Sequence, residues 1–73
     1  MKLRIRDLRE DKDLKQSQVA EYLLCDQSLY SKYERGERVF PLEYAEQLAL
    51  FYDTSVDYLI GLTDERKPYP RRK

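Results

Sequence analysis

The sequence predicts an all-α fold with five short helices. Only two of its 73 residues are glycine and three are proline, whereas Leu, Glu, Lys and Gln, which favour helices, are frequent. No stretch alternates apolar and polar residues in the way a half-buried strand does. A chain of this length buries only about 60% of its unfolded surface, which leaves room for one domain with one modest core.

The composition excludes several classes of function. The chain has no histidine and a single cysteine, which rules out His-based catalysis and an internal disulfide. We therefore expect no enzyme activity, catalytic residue, metal site, cofactor or small-molecule ligand. The start, "MKLRIRDLRED", is too charged for a signal peptide, and no run approaches the roughly 20 apolar residues of a membrane span. These features predict a cytoplasmic protein with no membrane partner.

The charges are unevenly distributed along a chain whose net charge is zero, with 14 basic and 14 acidic residues. A neutral total argues against nucleic acid, since phosphate binding usually shows as a basic domain. However, residues 39–64 contain five acids and no base, whereas residues 65–73 hold five bases and one acid. We expect the acidic region to face away from any phosphate.

The first two helices follow from apolar residues at helical spacing. The first helix should end near Lys12 and Asp13, and the second should begin near Gln16 and run for about two turns. The apolar positions that predict them are Leu3, Ile5 and Leu8 in the first, and Val19, Ala20 and Leu23 in the second.

The third helix has two chemically different sides. Asp26 is a good cap for a helix that starts at Gln27, and Gly36 stands where a left-handed residue commonly closes a helix. At about 100° per residue, Tyr30 and Tyr33 fall on one side. The polar residues of the other side, here called the polar arc, are Gln27, Ser28, Ser31, Lys32 and Arg35.

The fourth helix should carry Pro41 in its first turn, and Ser55 should cap a short fifth helix that ends at Gly61. The predicted domain covers residues 1–63, and residues 64–73 are expected to form a flexible basic tail because they contain almost nothing to bury. The buried stripe expected along the fourth helix consists of Leu42, Ala45, Leu48, Ala49 and Tyr52.

This arrangement resembles the Xre-type helix-turn-helix domain of the lambda, Cro and 434 repressors, with the helix-turn-helix at helices 2 and 3. The resemblance runs from about Ile5 to Gly61 and depends on several anchors in the right order, which together are far more specific than a lone helix-turn-helix pattern. The anchors are "LKQSQVAEYL" at 14–23, "SLYSKYERGER" at 28–38, Pro41, "LA" at 48–49 and "SVDYLIG" at 55–61.

The resemblance implies that the third helix, about 27–35, lies in the major groove of duplex DNA. Gln27, Ser28 and Lys32 then occupy the base-contacting positions of the family, and Ser31 lies on the same arc. Gln27 is the best candidate, since an amide can pair with both adenine N6 and N7, while Lys32 can donate to guanine. The alternative for Gln27 is a solvated helix start.

The resemblance also implies phosphate contacts at the ends of the helices. Gln16 matches the glutamine that meets a phosphate at the start of the second helix, and Arg35 and Arg38 belong to the loop laid along the other strand. Lys15 stands where related sequences place a Ser or Thr cap, and a bound phosphate would offset the missing cap. The alternatives are an ordinary exposed lysine at 15, and arginines that pair with Glu37 or with solvent.

Other positions are assigned to architecture. In the family, the positions of Arg9 and Glu34 form an internal ion pair between the first and third helices. Leu24 and Asp53 replace glycines of the family. Either the turn at Leu24 follows a different path, or Leu24 accepts a left-handed backbone because its side chain is buried. Cys25 is interpreted as an apolar core residue of the same turn.

The function expected from this resemblance is sequence-specific binding of double-stranded DNA by a homodimer that acts as a small transcriptional regulator, in particular a repressor. The rival is a protein-binding helical module, such as an antitoxin or an antirepressor partner, which the zero net charge favours. A second rival is that the chain is the DNA-binding part of a longer regulator. The apolar residues that suggest a dimer contact are Tyr44, Leu50 and Phe51.

Overall fold

The computed structural model of the protein describes residues 3–68. Within this range the chain forms five helices and no strand, which confirms the predicted all-α class. None of the helices in the described range is long and apolar enough to cross a membrane. The helices are α1 (Ile5–Asp11), α2 (Gln16–Leu23), α3 (Gln27–Glu34), α4 (Leu42–Phe51) and α5 (Val56–Leu59).

One apolar core lies between the helices and sets the direction in which α3 faces. Every helix contributes side chains to it; α3 does so through the buried Tyr30 and Tyr33 and the partly buried Leu29. The remaining side of α3 is therefore left outside the core. The largest fully buried side chains are those of Tyr30, Ile5, Leu8, Leu48, Leu59, Val19 and Thr54.

Leu24 makes the sharp turn between α2 and α3. Its backbone is left-handed, with φ 59° and ψ 38°, so the turn adopts the conformation that a glycine would adopt. Of the two alternatives for this turn, the backbone follows the left-handed one, but burial does not compensate for the strain, because the Leu24 side chain is 90% exposed. Asp13 and Asp53 are also left-handed, at φ 55° and 53°, so within residues 3–68 three non-glycine residues adopt a positive φ, which glycine tolerates best.

The fourth helix differs from the prediction at its start. Pro41 is the N-cap, with an extended backbone, and the helix begins one residue later, at Leu42. Leu42 is 66% exposed, so its assignment to the buried stripe is wrong. Leu42 is the first residue of α4, and the first buried residue of this helix is Ala45, about one turn later. The other members of that stripe are buried as predicted.

The segment after α5 is bound to the domain. The Arg4 guanidinium donates to the carbonyl oxygens of Tyr58 and Thr63, at 2.8 and 2.6 Å, and the Thr54 hydroxyl donates to the carbonyl oxygen of Arg66 at 2.6 Å. The chain is thus held as far as Arg66. The rest of the expected basic tail, residues 69–73, lies outside the described residues.

Candidate nucleic-acid interface

The polar arc of α3 faces solvent. Gln27 and Ser28 are exposed, and Ser31 and Lys32 are half-buried. Leu29, beside them, packs against the core. The first turns of α3 therefore present amide, hydroxyl and ammonium groups to the outside, while the tyrosines on the opposite side fix the rotation of the helix about its axis.

Asp26 fixes the start of α3. Its carboxylate accepts hydrogen bonds from the backbone N–H groups of Ser28 and Leu29, at 2.9 and 3.3 Å. These are among the donors that a helix start leaves without intrahelical partners. Because Asp26 is exposed, it also places a negative charge beside Gln27.

The structure brings four of the expected DNA-contacting residues together in one shallow polar depression between the starts of α2 and α3. Gln27, Ser28 and Ser31 line it from α3, and Gln16 lines it from α2. Asp26 completes the lining. The sharp turn at Leu24 is what places the two helix starts next to each other.

The start of α2 has no side-chain cap. Lys15 is the N-cap residue and gives no cap hydrogen bond through its side chain, although its backbone N–H donates to Gln18 Oε1 at 2.8 Å. The Lys15 side chain is exposed. A helix start that keeps N–H donors beside an exposed ammonium favours an anion.

Glu34 joins three helices through its carboxylate. Arg9 Nε and NH2 donate to its two oxygens at 2.7 and 3.1 Å, and Gln16 Nε2 donates to Oε1 at 2.9 Å. Burial alone would raise the Glu34 pKa, but the hydrogen bonds from Arg9 and Gln16, together with the positive charge of Arg9 and the nearby Tyr30 hydroxyl, hold the pKa below its usual value. One of the two N–H donors of the Gln16 amide is thus engaged within the protein, and the second N–H of that amide is a further donor.

Arg35 is held by its own neighbours. Its Nε donates to Glu37 and its NH1 donates to the Ser31 hydroxyl, both at 2.5 Å. The hydrogen bond to Glu37 raises the Arg35 pKa, and the same bond lowers the Glu37 pKa. Both side chains are about half exposed, and exposed ion pairs of this kind are weak. A phosphate can therefore compete with Glu37 for the guanidinium.

Arg38 lies apart from the depression at the starts of α2 and α3. It is exposed and borders a mainly apolar groove beside the loop that follows α3. This groove, here called the loop groove, shares no residue with the polar arc. Its lining residues are Leu3, Gly36, Glu37, Arg38, Val39, Phe40 and Ile60.

A family model described as helix-turn-helix matches residues 5–59 of the chain. The match spans all five helices, α1 to α5. The chain belongs to this helix-turn-helix family. Its α2 and α3 are the two helices joined by the sharp turn, and α3 is the helix that carries the open polar side.

Two relatives of this helix-turn-helix domain have curated descriptions. One, 41% identical over 70 residues, is the uncharacterized HTH-type transcriptional regulator YobD of Bacillus subtilis strain 168. The other, 39% identical over 58 residues, is the cryptic phage CTXphi transcriptional repressor RstR of Vibrio cholerae. The matches cover 96% and 80% of this chain, but only 62% and 52% of the relatives. No solved structure gives a significant match.

Sequence reasoning missed Arg6 as a candidate residue of the helix-turn-helix domain. Arg6 borders a second polar depression, together with Gln16, Ser31 and Arg35. Its side chain is mostly exposed and lies 3.3 Å from the Glu10 carboxylate within α1. The sequence signal was the spacing of Arg6 and Arg9. Residues i and i+3 share one side of a helix, so Arg6 lies on the same side of α1 as Arg9, which contacts Glu34 of α3.

Proposed function

We propose that this helix-turn-helix domain binds double-stranded DNA sequence-specifically, with α3 in the major groove, and acts in the cytoplasm as a small transcriptional repressor. The observation that carries the proposal is the open polar arc of α3, which meets the uncapped start of α2 in one depression. A major groove about 12 Å wide admits a single helix. The transcriptional descriptions of the two relatives support the same role.

The proposed DNA-contacting residues fall into two groups, those that contact bases and those that contact phosphates. Gln27 and Ser28 are exposed in the first turn of α3, and together with Ser31 and Lys32 they are the proposed base contacts. The proposed phosphate contacts surround them at the helix ends, and backbone contacts of this kind fix the register of a protein on the duplex. The phosphate set is Lys15, Gln16, Arg35 and Arg38.

The zero net charge does not oppose this role, because the charges are separated in the fold. The acidic side chains of α4, Glu43 and Glu46, are exposed on a helix that contributes nothing to either polar depression. The neutral total is also the observation that favours a protein partner, such as a toxin, on the same polar arc. The dependence of binding on salt distinguishes the two, since a duplex releases condensed counterions and gives a steep linear fall of log K with log salt.

We further propose that a second copy of the chain occupies the loop groove, so that the protein binds DNA as a homodimer. Val39 is 91% exposed at this groove, beside the apolar side chains of Leu3, Phe40 and Ile60. A partner seated here leaves the polar arc uncovered. A homodimer that binds two half-sites about 34 Å apart needs the polar arc of each subunit free to face the DNA.

The loop groove is a better dimer site than the residues first considered. Tyr44 packs edge-to-face against Tyr33, and Phe51 packs against Tyr22 at 4.4 Å between ring centroids, which leaves only Leu50 largely exposed. Val39→Glu should reduce dimer formation and cooperative binding, measured by sedimentation with a two-half-site duplex. Leu50→Glu is the matched control, and equal losses in both variants would contradict the assignment.

Titration of labelled duplex DNA tests the main proposal. Random-sequence duplex should bind at micromolar protein and low salt. Affinity should then fall steeply as salt rises, because log K depends linearly on log salt with a slope of about −0.9 per phosphate contact. Binding that ignores salt, or no binding under these conditions, would overturn the proposal. A duplex selected from a random pool should then show sequence preference above this background.

A further inference from the structure

The loop groove is lined by two separate parts of the chain. One part is the loop after α3, residues 36–40, and the other is the pair Leu3 and Ile60. Leu3 comes directly before the N-cap of α1, and Ile60 is the residue that ends α5. The groove therefore depends on a connection between the start of the first helix and the end of the last one.

Arg4 makes this connection. Its backbone N–H donates to the carbonyl oxygen of Leu59 at 2.8 Å, and its NH1 group donates to the carbonyl oxygens of Tyr58 and Thr63 at 2.8 and 2.6 Å. The same guanidinium lies 4.2 Å from the centre of the Tyr58 ring. These contacts hold the backbone on both sides of Ile60.

The bonds to the carbonyl oxygens are the strong part of this arrangement. The Arg4 side chain is only 15% exposed, and hydrogen bonds from a charged donor are stronger than neutral ones. Its ion pair with Asp64 adds little, because that carboxylate is fully exposed. A guanidinium presents several donors in one rigid plane, whereas a lysine ammonium is a single point charge on a flexible stem. Lysine cannot reproduce these contacts.

We propose that Arg4 is a positioning residue of the dimer surface, which holds Leu3 beside Ile60 so that a second copy of the chain can contact them. The inference rests on the proposed homodimer and extends it from the groove to the contact that forms the groove. Arg4 lines neither of the two polar depressions beside α3. Its effect should therefore appear when two copies pair and not when one copy binds a half-site.

A purely structural tie would behave differently. If the contacts of Arg4 only stabilise the fold, their loss lowers the thermal midpoint of unfolding and leaves the dimer of the folded protein unchanged. A positioning role instead weakens the pairing of protein that is still fully folded. The dimer dissociation constant distinguishes the two roles, provided that it is measured well below the thermal midpoint.

Arg4→Lys is the test variant, because it keeps the charge and removes the planar set of donors. Sedimentation equilibrium of the full chain, at a temperature where circular dichroism shows it to be folded, measures the dimer dissociation constant. This constant should rise about ten-fold, which corresponds to the loss of one charge-assisted hydrogen bond. The affinity for a duplex with a single half-site, measured by fluorescence anisotropy, should stay unchanged.

Two variants outside the loop groove provide the controls. Arg6→Lys makes the same exchange at an exposed side chain of α1. Val19→Ala removes buried methyl groups from α2 and lowers the stability of the fold without touching the groove. Both variants should leave the dimer dissociation constant unchanged.

The outcomes separate this inference from the proposals on which it rests. An unchanged dimer constant in Arg4→Lys, or an equal rise in Val19→Ala, would overturn the positioning role and leave the proposed dimer standing. A chain that forms no dimer would overturn both the dimer and the role of Arg4. DNA binding is decided separately by the titration with labelled duplex.

Discussion

The guanidinium of Arg9 forms a two-pronged ion pair with the carboxylate of Glu34, with Nε–Oε2 at 2.7 Å and NH2–Oε1 at 3.1 Å. The Glu34 side chain is only 3% exposed and that of Arg9 13%. Arg9 also donates to the Leu14 carbonyl at 2.8 Å. This pair fixes α1, the turn after it and the last turn of α3 with respect to one another.

Replacing Arg9 with Met should lower the free energy of unfolding by about 3 kcal/mol, because the substitution leaves the Glu34 charge buried without its cation. Urea denaturation followed by circular dichroism at neutral pH measures the change. Arg6→Met is the matched control, since it removes the exposed partner of Glu10 from the same helix and should cost no more than about 0.5 kcal/mol. Equal losses would contradict the structural role of the pair.

Stability should fall in acid because the Glu34 pKa is lowered in the folded protein. A carboxyl group with a lowered folded pKa contributes its full stabilisation above its unfolded pKa, about 4.3. The contribution is lost as the pH falls from there through the folded pKa. Unfolding free energies of Glu34→Gln should therefore vary less with pH below about pH 5 than those of the unmodified chain. Parallel pH profiles would contradict this assignment.

Leu24→Gly should stabilise the domain by up to about 1 kcal/mol. The left-handed backbone at this position costs a residue with a Cβ about 1–2 kcal/mol, and the greater unfolded-state entropy of glycine offsets part of the gain. Thermal unfolding measures the difference. Leu24→Ala keeps the Cβ and should be neutral, because the leucine side chain is 90% exposed. A gain with Ala equal to that with Gly would show that strain is not the cause.

The sequence predicted α3 and α5 well because their signals are local. Asp26 and Ser55 are capping residues that form the expected hydrogen bonds, and Gly36 and Gly61 take the expected positive φ. The exposed side of α3 followed from helical geometry once Tyr30 and Tyr33 were assigned to the core. The helical spacing of a short segment is sufficient for such predictions.

Features that depend on distant parts of the chain were not predicted from local patterns, and the Arg9–Glu34 pair was expected only because of the family resemblance. The capture of residues 63–66 by Arg4 and Thr54 joins positions more than ten residues apart, and no local pattern encodes it. Leu42 has the spacing of a buried residue, but its exposure depends on where the neighbouring helices end. The role of Leu24 was left open because the sequence gives neither the φ angle, which decides the backbone strain, nor the burial of the side chain, which decides whether the strain is compensated.

Gln27→Ala and Arg38→Ala should affect DNA binding in different ways. Loss of Gln27 should reduce the preference for a selected site over random duplex by about 1–3 kcal/mol, because it removes a base contact. Loss of Arg38 should weaken both duplexes alike and reduce the magnitude of the salt slope by about one. Fluorescence anisotropy on the two duplexes measures both effects. Identical behaviour of the variants would contradict the division of roles.

Glu37→Gln should strengthen DNA binding. The substitution releases Arg35 from its exposed partner and removes a negative charge beside the proposed phosphate contacts. Affinity should rise for all duplexes, and the salt slope should become steeper by about one. Glu46→Gln, which removes an exposed acid from α4, is the control with the same charge change. The prediction is wrong if the two variants gain equally.

The Asp26 carboxylate has a consequence for the kind of chemical group that α3 accepts at its tip. A phosphate oxygen that approaches Gln27 and Ser28 meets an anion that already occupies the first backbone donors of the helix. An exocyclic amine, such as N4 of cytosine or N6 of adenine, meets an acceptor instead. In the proposed complex with DNA, the cap would therefore repel the sugar-phosphate chain from the tip of α3 and favour nucleobases that present an NH2 group.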